Sequence, residues 1–327
     1  MREKLSSNFV IIIPCLVILF NMFLVLNPVE MIMAAREGLL LWFNQVLPSL
    51  LPFVVGVNLL AGLGFIRFLG VLAAPLMIPL FNVPGAGAFA VLTGLSSGYP
   101  MGAKTVADLR KTRQIRHQEA QRLIAFSNNA GPLFIVGFVG TGLFGSTRIG
   151  YLLLASHIAA AFIIGVIYRF FGEKSSATGG GLSRAFKAFH NYRQNEYEGF
   201  GSVFGSSVKN AMEAMVLIGG FIIVFSVLIK TIETSGLFSI FGNFAGLVAG
   251  IIEVANGTRI LAQVGSDNPV AVILAAAVVS FGGLSVHSQT AHFLRGTDIK
   301  FAPYLFAKVL QAVISAGICL VLVMWFM

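Results

Sequence analysis

Charged side chains are scarce in this chain: they make up 11% of its 327 residues, against roughly 25% in ordinary soluble domains. Hydrophobic residues reach 57%, more than a water-soluble domain of this size can enclose in one core. Cysteine is almost missing. Cys15 and Cys319 both lie inside apolar runs and offer neither a disulfide framework nor metal-ligand spacing. His117, His157 and His190 are scattered. The chain has no phosphate-binding glycine loop, no nucleophile–base pairing and no paired-histidine zinc-protease motif, so neither a cofactor, a metal nor an enzymatic activity is expected. The formal charge of +9 could point to nucleic acid. The basic residues, however, are not interleaved with aromatics on a polar domain. They sit between apolar runs, where membrane orientation requires them. Nucleic acid is excluded as a partner and the lipid bilayer is implied.

What is abundant is apolar sequence in stretches near the roughly 20 residues needed to cross a bilayer as a helix. The first run is Phe9–Leu26, preceded by Arg2 and Lys4. Ala34 and Ala35 form a weak cleavage site, but the run exceeds the roughly 7–15 residues of a signal-peptide core, so a retained anchor is expected. Further spans are predicted at Gly38–Leu63, Phe65–Val83, Ala86–Ala103, Leu123–Phe144, Ile149–Phe171, Ala211–Ile229, Leu237–Ile252, Pro269–Phe293 and Ala302–Phe326. Proline and glycine interrupt several of them. The 36 glycines and 30 phenylalanines suit helices that pack closely in lipid.

Basic residues set the orientation. Lys104–Arg122 and Arg169–Arg193 are predicted on the cytoplasmic face, whereas Arg148 and the stretch from Lys230 to Asp267 fall outside. The N-terminus is then cytoplasmic. The polar stretch from Gly172 to Gly201, with its Gly179-Gly180-Gly181 break, reads either as a linker carrying an interfacial amphipathic helix or as a plain surface loop.

Internal similarity follows the same frame. Gly64-Phe65-Ile66-Arg67-Phe68-Leu69-Gly70 matches Gly236-Leu237-Phe238-Ser239-Ile240-Phe241-Gly242, and Tyr151-Leu152-Leu153 matches Tyr304-Leu305-Phe306. Each half reads as a span, a short amphipathic piece, a glycine-broken hairpin, a polar-centred helix and a closing span. Traced from a cytoplasmic N-terminus, the halves run in opposite directions. The predicted fold is an all-α polytopic transmembrane bundle with two inverted repeats containing broken helices and hairpins. Its parts are an anchor at 1–35, a first repeat at 36–172, a cytoplasmic linker at 173–205 and a second repeat at 206–327. Broken helices in inverted repeats are a recurring transporter architecture, with the substrate site where the breaks meet. The fold admits a homo-oligomer.

Four polar clusters interrupt the apolar background. Two lie in the first half, around Ser97-Gly98-Tyr99 through Lys104 and at Ser127-Asn128-Asn129. Two lie in the second, around Glu253, Asn256, Gly257 and Arg259 and at Ser285, His287 and Gln289. Polar backbone at membrane depth must be buried in protein or line a wet cavity. Free N–H groups at half-helix starts attract anions, and Asn and Gln offer both donors and acceptors. These residues are the candidate substrate contacts, for a small organic anion. The bland alternatives stay open. Ser and Asn also serve as glue between helices, Glu253 and Arg259 could pair with each other, His287 could relay protons or simply pack, and Lys104 could merely begin the basic loop.

The run Ser97-Gly98-Tyr99-Pro100-Met101-Gly102-Ala103-Lys104, then Asn128-Asn129-Ala130-Gly131-Pro132-Leu133-Phe134, then Ser280-Phe281-Gly282-Gly283-Leu284-Ser285-Val286-His287 resembles the YlbJ (also SpoVV) family of sporulation integral membrane proteins. That family carries nucleoside-recognition gate domains, a repeat shared with concentrative nucleoside transporters and with the membrane part of the ferrous iron transporter FeoB. The resemblance spans roughly residues 36–326. It implies a multi-pass protein of the mother-cell-derived outer forespore membrane that moves dipicolinic acid toward the spore. A nucleoside is the less expected substrate, since no further spans form such a transporter's scaffold. A non-transporting role in spore assembly is the alternative.

Overall fold

A computed structural model describes residues 7–175, 181–195 and 199–326. Arg2, Lys4, Gly179 and Gly180 lie outside the described residues. Among those described, every regular element is helical. Four helices are long and apolar enough to cross a membrane, and up to six if each of two bent pairs counts as one span. The chain is an all-α, multi-pass membrane bundle.

The first half contains α1 (Ser7–Leu26), α2 (Pro28–Leu41), a π-helical turn (Trp42–Val46) and α3 (Leu47–Gly62). It continues with α4 (Phe65–Phe81), α5 (Gly87–Ser97), α6 (Met101–Lys111), α7 (His117–Ser127), a π-helical segment (Leu133–Leu143) and α8 (Thr147–Tyr168). After α9 (Leu182–Asn195), the second half repeats that order. It comprises α10 (Phe200–Thr234), a 3-10 segment (Leu237–Phe244), α11 (Ala245–Ile252), α12 (Val254–Ala262), α13 (Pro269–Phe281), α14 (Gly283–Phe293) and α15 (Phe301–Phe326).

Corresponding elements of the two halves pack on each other, and in opposite directions. Along the opening helices, Met31 meets Thr231, Trp42 Nε1 donates to Met215 O (2.9 Å) and Asn58 Nδ2 donates to Ser207 O (3.2 Å). The partner's number falls as this one rises, so α2–α3 and α10 are antiparallel. The closing helices behave alike. Tyr168, at the end of α8, donates to Pro303 O near the start of α15 (2.9 Å). Leu153, at the other end of α8, shares a buried apolar cluster with Cys319 and Val323 of α15. The inverted relation predicted from charge is therefore visible in the packing.

Several predicted spans are remodelled: Ala86–Ala103 is divided between α5 and α6, Leu123–Phe144 between α7 and the π-helical segment, and two others bend or break. Phe65–Phe81 turns 86° from the helix before it, because Gly64 takes the left-handed conformation (φ +86°) that favours glycine. Leu237–Ile252 is divided into a 3-10 segment, itself kinked at Gly242, whose backbone is non-helical, and the eight-residue α11. The amphipathic linker helix expected between the halves is α9. It rests on α4 through Phe186 and Phe189 against Phe68, and through Arg67 over Tyr192.

Candidate functional site

Each polar cluster sits where a helix cannot continue. Gly98 (φ +80°) and Pro100 turn α5 back against α6 as a hairpin. A Cβ on Gly94 or Gly102 would run into the Ser127 carbonyl, so only glycine lets this hairpin close on the neighbouring break. That break follows α7 at Asn128, which is extended, and ends at Pro132. Proline lacks the N–H needed to continue the ladder. In the second half Glu253 interrupts α11 and α12, accepting from Ala255 N (3.1 Å) and Asn256 N (2.8 Å) as an N-cap. Gly282 and Gly283, both with positive φ, separate α13 from α14.

All four breaks meet at one cavity of about 480 Å³. Ser97, Gly98 and Tyr99 line it from the first hairpin, Gly131, Leu133 and Phe134 from the second break, Glu253 and Val254 from the third, and Ser285, Val286 and Gln289 from α14. Gln45 and Val46 of the π-helical turn, with Phe53, Ile218 and Ile222 of the opening helices, close the remaining side. The wall is mostly apolar. The Ser97 and Tyr99 hydroxyls are buried without a hydrogen-bond partner among the described residues. Among the described residues, no Lys, Arg or His belongs to the lining.

The sequence candidates divide on this geometry. Ser97, Gly98, Tyr99, Glu253, Ser285 and Gln289 line the cavity. Ser127, Asn128, Asn129 and His287 are buried behind its wall. Asn128 accepts from Ala103 N (3.3 Å) and donates to Thr290 Oγ1 (3.1 Å) and Tyr304 OH (2.9 Å). Asn129 donates to Phe126 O (2.7 Å) and accepts from Gln311 Nε2 (3.1 Å). His287 Nδ1 lies 3.1 Å from Tyr304 OH. Gly257 allows α12 to approach α11, since a Cβ there would collide with Gly250. Asn256 braces Glu253 (2.8 Å).

Two cations are placed away from the cavity. Lys104 pairs with Asp108 at 2.8 Å. Arg259, with 42% of its side chain exposed, lies 4.0 Å from Glu37 rather than against Glu253. Glu253 turns its carboxylate onto the start of α12, at Ala255 N and Asn256 N, whereas Arg259 lies in the last turn of that helix. Helical periodicity splits α14: Ser285 and Gln289, four apart, face the cavity, while His287 between them faces α15.

The groups on α15 were missed in the sequence. Lys308 is 1% exposed and donates to the Asn128 carbonyl and to Gln311 Oε1 (2.7 Å). With Tyr304 and Ser315 they form one buried stripe at spacings of four, three and four residues. That helical periodicity within an apolar span was the available signal. His157, isolated in the sequence from the other histidines, also has a place in this network. It accepts from Ala130 N through Nε2 (3.1 Å), so its Nδ1 carries the proton donated to Ser280 Oγ (2.8 Å). It thereby ties the first half's break to α13.

At one end of the bundle, three loops are tied together. Arg110 holds Asp298 through two 2.8 Å bonds, and those bonds depress the Asp298 carboxyl well below the usual carboxylate range. Burial pushes the Glu119 carboxyl up. Bonds from the Arg116 N–H and guanidinium and from Ser175 outweigh it and leave the group lowered.

Comparison with known proteins adds three findings. The Gate family, described as nucleoside recognition, matches residues 43–174, the first half from its π-helical turn to just beyond α8. The chain is 34% identical to the sporulation integral membrane protein YlbJ of Bacillus subtilis (strain 168), over 89% of this chain and 77% of that protein. No solved structure matches.

Proposed function

The chain belongs to the YlbJ family of sporulation integral membrane proteins, and we propose that it serves sporulation as a transporter carrying a small planar organic solute through the cavity where its helix breaks meet. The observation that carries this reading is the convergence of four breaks, two from each inverted half, on one cavity of about 480 Å³. That volume falls in the range of roughly 300–1,000 Å³ typical of small-molecule sites. The Ser97 and Tyr99 hydroxyls at its wall are unpaired among the described residues, and a solute that bonds them would offset a cost of about 1–3 kcal/mol for each buried unsatisfied group. The protein is not an enzyme in this reading.

Dipicolinate is the candidate supplied by the family. Its flat pyridine ring suits the faces of Tyr99, Phe134 and Phe138, and its carboxyl oxygens suit the hydroxyls of Ser97 and Tyr99. The starts of α6 and of the π-helical segment at Leu133 offer partial positive charge to an anion. The proposed location is the outer forespore membrane, N-terminus in the mother-cell cytoplasm. One observation favours a second reading: with no cation in the lining and Glu253 present, an uncharged solute such as a nucleoside meets less opposition, in line with the description of the Gate family.

Thermal unfolding of the purified protein with dipicolinate or nucleosides separates these readings. The solute that is carried should stabilise by about 2.7 kcal/mol at one hundred times its dissociation constant, and Ser97→Ala with Tyr99→Phe should weaken that shift. Absence of any shift, together with absence of uptake into vesicles, would leave the spore-assembly role instead.

A further inference from the structure

Lys308 is the one lysine among the described residues that is buried without an acid. A solvent-free ammonium normally needs a counter-ion. None of the ion pairs among the described residues includes Lys308. The titratable groups facing it are His157 on α8 and His287 on α14, with Tyr304 one turn back on its own helix, and none of them brings a negative charge. From the α7 break it meets only the carbonyl of Asn128, and on α15 the amide of Gln311.

Counting donors decides the form that fits. An ammonium carries three N–H groups and a neutral amine two, and two acceptors are present. A third donor would be left unpaired beside an uncompensated charge. The packed arrangement therefore suits the neutral amine. Its bonds nonetheless hold the break: Lys308 clips the Asn128 carbonyl, and Gln311 clips the Asn129 side chain (3.1 Å). A few residues on, Gly131, Leu133 and Phe134 of the same break form part of the cavity wall.

We infer that Lys308 is a proton-binding site that gates this break: as a neutral amine it clips the break closed at Asn128 and, through Gln311, at Asn129, and on taking up a proton it releases them and lets the cavity wall move. The inference deepens the transport reading, in which Lys308 becomes the residue that couples solute movement to protons. Protonation favours the released state, because only there can water reach the new charge. The clip is therefore fully present at high pH and lost as pH falls.

The test follows amide hydrogen exchange at residues 128–135 against pH, corrected for the intrinsic exchange rate, in the full-length protein. In the wild type, protection of this segment should fall with falling pH, by up to about tenfold per pH unit, the limit for one proton. Lys308→Gln, which is neutral throughout and keeps N–H donors, should hold the protection constant. Lys308→Met does the same should the glutamine fail to fold. His287→Gln should retain the wild-type response. A flat wild-type profile, an unaltered response in both Lys308 variants, or loss of the response in His287→Gln alone would each overturn the inference. Uptake into vesicles under an imposed pH gradient separates this result from the transport reading. A pH-responsive break without uptake of any solute would remove the transporter and leave Lys308 as a proton-operated clip.

Discussion

Asn128 shows how a polar residue at a membrane break is used up by the protein itself. Its side chain makes bonds to Ala103, Thr290 and Tyr304 and its carbonyl receives Lys308, which joins the first hairpin, α14 and α15. Asn128→Ala should leave these partners unpaired in the core and cost about 1–3 kcal/mol, seen as a lower unfolding midpoint in detergent. Arg259→Ala should change stability by no more than about 1 kcal/mol, because its contact with Glu37 is long and exposed. Its transport should match the wild type. Wild-type stability in Asn128→Ala together with lost solute binding would instead put that amide on the solute. The adjacency of Ser127, Asn128 and Asn129 made this break visible in the sequence. What it could not reveal is which way each side chain points, since residues one apart on the chain face different partners once the helix ends. Lys308 is hidden for a different reason: it is a single charge inside the apolar run Ala302–Phe326, and its place shows only when Tyr304, Gln311 and Ser315 are set on the same helix face.

Between elements, the strongest charge pairing gathers in loops. Arg122 donates to Phe171 O (2.8 Å) and Glu173 O (2.9 Å), Arg116 to Lys174 O (3.0 Å), and Gln121 exchanges two bonds with Lys300 (2.9 and 2.8 Å). Glu119 and Asp298 anchor the group, and both are held below their ordinary values. A depressed carboxylate contributes stability that is present above its unfolded value, about 4 for these groups, and lost as pH falls through the folded value. Acid below about pH 4 should therefore loosen this end first, with limited proteolysis at 112–116 and 171–175 as the readout. Glu119→Gln should bring the cleavage up toward neutral pH, and Asp298→Asn should matter less because half of its side chain is exposed. Basic residues marked these loops in the sequence as one-sided. Their mutual bonds were not legible, because they join residues up to 188 apart in the chain. The hairpins were legible from Gly98, Pro100 and Glu253, whereas the bend after Gly64 was hidden by an apolar pattern that fits a span equally well.

For the whole molecule, these tied loops define one face. The 112–116, 171–175 and 294–300 segments meet there through Arg116, Arg122, Gln121 and Arg110, so a membrane cannot pass between them. Residues 104–122 and 169–175 gather at that face, and the positive-inside rule predicts it to be cytoplasmic. From it α15 departs at Phe301 and runs 26 residues, about 39 Å at 1.5 Å per residue. That exceeds the roughly 30 Å hydrocarbon core, so its far end must emerge on the opposite side. The opening helices add the same constraint, since α2–α3 and α10 lie antiparallel from Met31–Thr231 to Asn58–Ser207. Reporters inserted near Arg113 and near Lys174 should both read cytoplasmic, whereas one following Phe326 and one near Asp267 should read external. The N-terminus, by the charge of Arg2 and Lys4, should be cytoplasmic. A cytoplasmic reading at the C-terminal end would contradict the single crossing of α15 and, with it, the inverted pairing that brings breaks from both halves to a common depth.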